Sequence, residues 1–184
     1  MRIIAGTARG RRIEAPEGIH TRPTLDRVRE NLFNILQNRT RDSQVLDLFA
    51  GSGALSIEAL SRGAAHAVLV DSDRNASRIQ RKNLDQLGMN GQAEVFLCDW
   101  RKAASELAAQ GRRFDLVFLD PPYRMTDLRE VFTAVAELTA PDGLVVLEHE
   151  AKTEPAAGDL FEKTDGRRWG YCGVSFFRKK EMTC

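Results

Sequence analysis

The chain has 184 residues, of which 42% are hydrophobic and 29% charged, a balance typical of one globular domain with a substantial core. No apolar run approaches the ~20 residues that span a bilayer, and the opening stretch MRIIAGTARGRR lacks the apolar region of a secretory signal. Three separated cysteines and three scattered histidines argue against a disulfide framework or a metal site, which predicts a cytoplasmic protein without a metal.

The net charge of +1 conceals a basic N-terminal segment. Residues 1–41 contain nine arginines, no lysine and four acids, which gives +5 there and leaves −4 for residues 42–184. Arginine suits phosphate and base contacts because its planar guanidinium donates several hydrogen bonds. The charge alone is equally consistent with a nucleic-acid-binding extension and with a solvated arm.

The first predicted elements are a small hairpin and a helix. The segments RIIA and RRIEA predict a hairpin around Gly6 and Gly10, and TLDRVRENLFNILQ has apolar residues at helical spacing. Within this helix, Leu32, Phe33, Ile35 and Leu36 are expected to pack on a sheet. Strands and helices then alternate as QVLDLF, ALSIEALSRG, HAVLVD, RNASRIQRKNLDQLG, AEVFLC, RKAASELAAQG, FDLVFL, DLREVFTAVAELTA and GLVVLEHE.

This alternation predicts βαβ units with right-handed crossovers and a mostly parallel sheet. The segment DLFEKTDGRRWGYCGVSFFRKK predicts a terminal antiparallel hairpin, with its turn near Gly166 or Gly170. Of the adjacent Phe176 and Phe177, one is expected in the core and the other exposed or partnered. The predicted fold is an α/β three-layer sandwich in one domain, 1–184, comprising a small basic N-terminal extension, 1–41, and a core, 42–184.

Consecutive predicted strands end in acidic residues. Asp47 is followed by Leu-Phe-Ala-Gly-Ser-Gly, and Asp71, Asp99 and Asp120 end the next three strands. Ligands of open α/β sheets bind beyond these strand ends, where glycines allow close backbone approach. We therefore expect the four acids to face one crevice.

Each of these features also has a structural explanation. The glycine loop can be a tight turn, and Asp71 can cap the following helix. Ser56 occupies the position of the third glycine in GxGxxG, which argues against a dinucleotide, and no phosphate-binding GxxxxGK[ST] occurs. The series of strand-end acids is therefore stronger evidence for a ligand-binding crevice than any one of these features alone.

The stretch VFLDPPYR, residues 117–124, joins a buried strand to a carboxylate, two prolines and an aromatic ring. Proline cannot donate a backbone hydrogen bond and fixes φ near −65°, so the strand must end there. Asp120 and Tyr123 are consequently held on a stiff loop. The alternative is a proline-terminated strand with a surface tyrosine.

The segments VLDLFAGSG, VLVDSD, LCDW and LDPPY resemble motifs I to IV of the class I S-adenosyl-L-methionine-dependent methyltransferases. The resemblance implies a Rossmann-like methyltransferase fold, in which the glycine loop meets the methionine part of the cofactor, Asp71 the ribose and Asp99 the adenine. The implied cofactor-binding residues are Asp47, Phe49, Gly51, Gly53, Asp71, Ser72, Asp99, Trp100 and Asp120.

The sequence DPPY also resembles the [DN]PP[YFW] motif of enzymes that methylate exocyclic amino groups. The implied catalytic residues are Asp120, Pro121, Pro122 and Tyr123. Asp120 and the Pro121 carbonyl would accept the two amine hydrogens, and Tyr123 would stack on the base. The target base must be flipped out or unpaired to reach such a site.

The N-terminal stretches MRIIAGTARGRRIEAP and TRPTLDRVRENLFNIL resemble the RsmD family, which methylates guanine N2 in 16S ribosomal RNA. The resemblance runs from Arg2 to about Lys180. It implies RNA contacts by Arg9, Arg11, Arg12 and Arg22 and, as partner, ribosomal RNA within a small-subunit particle. Trp169 departs from the family's usual tyrosine. We expect a monomer.

Three alternative functions remain open from the sequence. An adenine-N6 methyltransferase shares DPPY but usually carries a target-recognition domain, for which this chain has no room. A protein-glutamine methyltransferase prefers asparagine at the position of Asp120. A non-catalytic RNA-binding assembly factor would have no chemical need for an intact DPPY.

Overall fold

The computed structural model describes residues 1–15, 23–122 and 124–180, with the side chains of the first helix described from Asp26 onward. The helices are α1 (Pro23–Thr40), α2 (Ala54–Ser61), α3 (Arg74–Leu87), α4 (Trp100–Ala109) and α5 (Arg129–Leu138). The strands are β1 (Gln44–Asp47), β2 (His66–Asp71), β3 (Ala93–Leu97), β4 (Phe114–Leu119), β5 (Thr139–Glu150), β6 (Phe161–Trp169) and β7 (Cys172–Lys179).

The strands form one sheet in the order β3-β2-β1-β4-β5-β7-β6. Strands β1 to β5 are parallel, whereas β7 pairs antiparallel with both β5 and β6. The predicted α/β fold with a terminal antiparallel hairpin is therefore confirmed. The strand order reverses direction at β1, which places a switch point between β1 and β4.

Both faces of the sheet are covered by helices. Helix α1, helix α2 and the N-terminal hairpin pack on one face, and α4 and α5 pack on the other. The strand β4 is almost continuously apolar because its side chains are buried on both faces. For the same reason Phe176 and Phe177 are both buried, on opposite faces, so the expectation that only one lies in the core is wrong.

Two other local expectations differ from the structure. Ile35 is 41% exposed, because it lies on the outer side of α1. Strand β1 ends at Asp47, so Leu48 and Phe49 belong to the following loop rather than to the strand. Of the two positions predicted for the turn of the terminal hairpin, Gly170 is confirmed, with a φ of +64°, whereas Gly166 lies within β6 opposite Ser175.

The N-terminal hairpin is confirmed as an antiparallel bridge between Arg2 and Arg12. The carboxylate of Glu58 in α2 accepts hydrogen bonds from the backbone nitrogens of Ile4 (2.9 Å) and Ala5 (3.0 Å). At Gly6, with φ +85°, a Cβ would lie 1.7 Å from the backbone oxygen of Ser61, so only glycine allows this approach. These contacts fix the hairpin along α2.

Candidate active site

The register of the parallel strands brings three carboxyl groups to one edge of the sheet. Asp47 pairs with Phe118, and Leu119 pairs with Leu147, so Asp120 and Glu148 follow aligned residues of β4 and β5. Because side chains alternate along a strand, all three carboxyl groups lie on the face covered by α1 and the N-terminal hairpin.

A cavity of about 160 Å³ opens at this edge. Its walls include Met1 and Arg29 as well as Asp47, Phe49, Gly51, Asp120 and Glu148. The predicted crevice therefore contains the first and fourth strand-end acids and the glycine loop. It also contains residues of the N-terminal segment, which places that segment over the site.

The glycine loop is held from two sides. The Gly51 nitrogen donates to Asp71 Oδ2 (2.8 Å), and Gln80 Nε2 of α3 donates to the Gly51 oxygen (2.8 Å). Gly53 has a φ of +80°, and a Cβ there would lie 2.8 Å from Leu69. Close packing against β2 therefore requires glycine at this position.

The helix-cap alternative for Asp71 is wrong, because Asp73 caps α3 through the Asn75 nitrogen at 2.6 Å. Asp71 instead anchors the glycine loop. Asp99 does cap a helix, α4, and remains exposed, as does Ser72. Trp100 is buried, with its ring 6.3 Å from that of Phe49.

Asp71, Ser72, Asp99 and Trp100 do not line the 160 Å³ cavity. Asp71 ends β2, Asp99 follows the end of β3, and Ser72 and Trp100 come directly after these acids. They continue the same edge of the sheet away from Asp120. An elongated cofactor lying along this edge would contact both groups of residues. Their cofactor-binding roles stay predictions.

The cavity concentrates acidic groups that are short of partners. Burial raises the pKa of Asp47 to about 7, against the effect of the hydrogen bond from Ser56 Oγ (3.1 Å), and nearby Asp71 raises it further. Within the described part of the chain, Asp47 Oδ1 has no hydrogen-bond partner. A buried carboxylate with an unpaired oxygen is suited to a positively charged ligand group.

The pKa values of Asp120 and Glu148 are also raised. Loss of hydration raises the pKa of Asp120, and its neighbours Glu148 and Asp47 raise it further, although the residue is exposed on the open side of the cavity. Burial also raises the pKa of Glu148, while a hydrogen bond with Cys172 opposes that change. The site thus has an excess of carboxyl groups.

Arg29, a basic side chain in the cavity wall, already interacts with other residues of the protein. Its Nη2 bonds Asp26 (3.1 Å) and the Arg2 carbonyl, and its Nε lies 3.7 Å from Glu58. Burial lowers the pKa of Arg29. Arg29 therefore ties α1, the N-terminal hairpin and α2 together, and the three cavity carboxyl groups remain available to a ligand.

A second groove, of about 360 Å³, adjoins the first. Pro121, Pro122 and Glu148 form the side nearest Asp120, and residues 125–129 and 149–156 contribute the rest. Pro121 is buried, whereas Pro122 is exposed. The predicted residues Tyr123 and Arg22 lie outside the described residues.

The predicted RNA-binding arginines divide into two positions. Arg9 lies at the hairpin turn beside Ser61, and Arg11 bonds the Gln86 carbonyl, so both lie near the last turns of α2 and α3. The eight residues of α2 separate Arg9 from the glycine loop by about 12 Å. Arg12 lies nearer the site, in a depression that it shares with Met1, Arg2 and Arg27.

Sequence reasoning missed several residues that shape the site. Glu148 lies two residues before the end of GLVVLEHE, so an acid near the end of the fifth predicted strand was a signal for the same edge of the sheet. Glu58, Gln80 and Asn83 gave no such signal, because their roles depend on helix packing. Within residues 1–15, 23–122 and 124–180, no group of three or more His, Cys, Asp or Glu could hold a metal ion.

The strand order, the terminal hairpin and the carboxyl-rich edge define the class I S-adenosylmethionine-dependent methyltransferase fold. An Agrobacterium tumefaciens SAM-dependent methyltransferase shares it, with 19% identity, a TM-score of 0.68 and coverage of 92% of this chain and 66% of that chain. At this identity the likeness concerns the fold alone.

The family described as "Conserved hypothetical protein 95" matches residues 1–178, and the chain belongs to it. "Ribosomal RNA small subunit methyltransferase D" of Escherichia coli K12 is 42% identical over 174 residues, which are 91% of this chain and 86% of that protein. The solved structure of yhhF from Escherichia coli is 38% identical, with a TM-score of 0.84 and 98% of both chains covered. The RsmD-family resemblance and its methyltransferase fold are confirmed.

Proposed function

We propose that this protein transfers the methyl group of S-adenosylmethionine to the exocyclic N2 amine of a guanine in small-subunit ribosomal RNA. The observation that carries the proposal is the acidic cavity of Asp47, Asp120 and Glu148, which opens beside the Pro121–Pro122 groove. Membership of a family with ribosomal RNA methyltransferases supports the substrate class.

The cavity residues fit the cofactor chemically. When bound, S-adenosylmethionine supplies an activated methyl group on a positively charged sulfonium, and its amino group carries a second positive charge. Asp47, with its unpaired oxygen, would accept a hydrogen bond from that amino group. Gly51 would let the backbone approach the cofactor, Gly53 would keep the loop in place through its packing on Leu69, and Asp71 and Asp99 would hold the ribose and adenine farther along the edge.

Asp120 and Pro121 would orient the amine. An exocyclic amine is a poor nucleophile because its lone pair is delocalised into the ring. If the Asp120 carboxylate and the Pro121 carbonyl each accept one N–H, the lone pair is aimed at the methyl group. The cofactor would supply the methyl group and leave as the neutral thioether when the N–C bond replaces the S–C bond, and the carboxylate of Asp120 would receive the proton that the amine loses.

The RNA must present an unpaired or flipped base. We propose that Tyr123 stacks on this base and that Arg12 and Arg22 contact phosphates near it. Arg9 and Arg11 would contact phosphates farther along the RNA, because Arg9 lies about one α2 length from the glycine loop and Arg11 lies at the end of α3. We further propose that a monomer acts in the cytoplasm on an assembling small-subunit particle, whose folded surface supplies the specificity that a chain of this size lacks.

A transfer assay tests the reaction. The protein is incubated with labelled S-adenosylmethionine and either undermethylated small subunits or naked 16S ribosomal RNA. The labelled nucleoside is then identified by mass spectrometry. We expect N2-methylguanosine at one position, with the particle as the better substrate. N6-methyladenosine would reject guanine as the target, and cofactor binding without transfer to either RNA would favour a non-catalytic assembly factor.

A further inference from the structure

Glu148 lies between the cofactor cavity and the groove beside Pro121 and Pro122, and its side chain lines both. Because Leu119 and Leu147 are paired, Asp120 and Glu148 are neighbours on adjacent strands, which lie about 4.8 Å apart. Both point to the face covered by α1. Glu148 is therefore adjacent to the carboxylate assigned to the reacting amine.

No ion pair of the described residues involves Glu148, although it is half-buried. Cys172 on β7 lies beside Glu148 and opposes the rise of its pKa, but its thiol donates to the Gly173 carbonyl (3.8 Å), so Glu148 keeps the capacity to accept hydrogen bonds. Asp120, the other neighbour of Glu148, is also an acceptor, and the two carboxylates repel each other when both are ionised. A half-buried acid without a cation, on the strand next to another acid, is costly unless a ligand supplies donors.

Guanine presents such donors in the required order. Its N1–H lies directly beside the N2 amine, so two neighbouring acceptors complement this edge of the base. In adenine the atom beside the exocyclic amine, N1, carries a lone pair, which a carboxylate repels. We propose that Glu148 accepts the N1–H of the target guanine and thereby selects guanine over bases whose N1 is an acceptor.

This assignment rests on the proposed function, since it requires that the amine held by Asp120 is guanine N2. It gives the two carboxylates separate tasks. Asp120 orients the reacting amine, whereas Glu148 identifies the ring to which the amine belongs. A site that hydrogen-bonds one edge rejects an analogue lacking the donor, because its buried acceptor is then left unpaired.

A base-analogue experiment separates recognition from a structural role. The target nucleotide, once mapped, is replaced by 2,6-diaminopurine ribonucleoside in small subunits reconstituted with ligated 16S ribosomal RNA. This analogue keeps the 2-amino group but has an acceptor at N1. Wild-type protein and Glu148→Gln are compared on both substrates, with Glu137→Gln, an exposed change on α5, as the matched control.

We expect wild-type protein to prefer guanine over diaminopurine in kcat/KM by roughly 100-fold. Glu148→Gln should lower kcat/KM for guanine by about 10-fold, because the neutral amide oxygen still accepts the N1–H but more weakly than a carboxylate. It should retain or raise activity on diaminopurine, because the glutamine amide can donate to N1. Glu137→Gln should behave as wild type, and all three proteins should bind S-adenosylhomocysteine within about twofold of one another.

Two results would overturn the assignment. An equal loss of activity on both substrates would mean that Glu148 only supports the site. Weaker binding of S-adenosylhomocysteine, with base preference unchanged, would mean that Glu148 serves the cofactor. A wild-type protein that methylates no guanine at all would instead reject the proposed function, and the role of Glu148 would be rejected with it.

Discussion

Asp47, Asp120 and Glu148 each have a raised pKa, for which loss of hydration is the first cause. Grouping such acids destabilises a protein that has no ligand, because each loses hydration and Asp120 is also repelled by the other two. A cationic cofactor and the donor edge of a base would relieve this cost. The carboxyl groups that are costly to ionise therefore lie at the site of the proposed methyl transfer.

Replacing Asp120 by alanine should lower kcat by about 10²- to 10⁴-fold, because the amine loses the acceptor that orients it. Affinity for S-adenosylhomocysteine should stay close to normal. Asp120→Asn should retain more activity, since its carbonyl still accepts one N–H. Single-turnover transfer and calorimetry provide these values, and unchanged turnover in Asp120→Ala would remove Asp120 from the mechanism.

Asp47 should make stability depend on pH. Its folded-state pKa of about 7 lies above the ordinary 3.8, so folding favours the protonated acid and stability declines as pH rises from about 4 to about 7. Asp47→Asn cannot ionise, and it should be more stable than wild type at pH 8 by about 1–3 kcal/mol.

Urea unfolding at about pH 5 and about pH 8 tests the role of Asp47. The difference in free energy of unfolding between Asp47→Asn and wild type should be smaller at the lower pH, where Asp47 of the folded wild-type protein is mostly protonated. The same substitution at Asp142, which is exposed, should change stability little at either pH. An equal advantage of Asp47→Asn at both values would assign the effect to packing rather than to ionisation.

At the scale of elements, α3 connects the N-terminal hairpin to the glycine loop. The buried Asn83 exchanges two hydrogen bonds with the Glu14 backbone (2.8 and 3.0 Å) and donates a third to the Ser52 oxygen (3.2 Å). Lys82, its neighbour on α3, pairs with the Glu14 carboxylate. The position of the hairpin and that of the cofactor loop are therefore set by the same helix.

Asn83→Ala should loosen both segments, because it leaves several buried backbone groups unpaired at a cost of about 2–3 kcal/mol. Hydrogen exchange should accelerate in residues 1–15 and 50–53, and S-adenosylhomocysteine should bind more weakly. Asn90→Ala is the control, since Asn90 is exposed and its side chain bonds the exposed side chain of Asp85. Faster exchange in the hairpin alone would show that the loop is held by Gln80 without Asn83.

At the scale of the whole molecule, the basic N-terminal segment and the remainder share one core. Ile3, Ala8 and Ile13 of the hairpin pack in the same cluster as Val28 and Ile57. We propose that residues 1–41 and 42–184 form one domain, in which the arginine-rich segment covers the site. None of the helices in the described ranges is long and apolar enough to span a bilayer.

The variant with Arg9, Arg11 and Arg12 all changed to alanine should bind RNA more weakly. Each lost phosphate contact should reduce the slope of log affinity against log salt by about 1. The control removes three exposed cations elsewhere, Arg113, Arg178 and Lys180. Filter binding over a salt series measures both variants, and an unchanged slope in the first would make the hairpin purely structural.

The sequence by itself determined the alternation of strands and helices, the strand-end acids and the stiff Asp120–Pro122 turn. These features depend on local periodicity and backbone restriction, which neighbouring residues specify. The exposed Ile35 and the burial of both Phe176 and Phe177 were decided only by packing on the two faces of the sheet.

Tertiary structure also decided which polar residues serve the site. Asp71 anchors the glycine loop, Arg29 is committed to Asp26 and Glu58, and Glu148 lies beside Asp120. Strand register and helix packing create these relations between residues that are distant along the chain. The physical reason is that a side chain's charge state and hydrogen-bond partners depend on which distant segments fold against it.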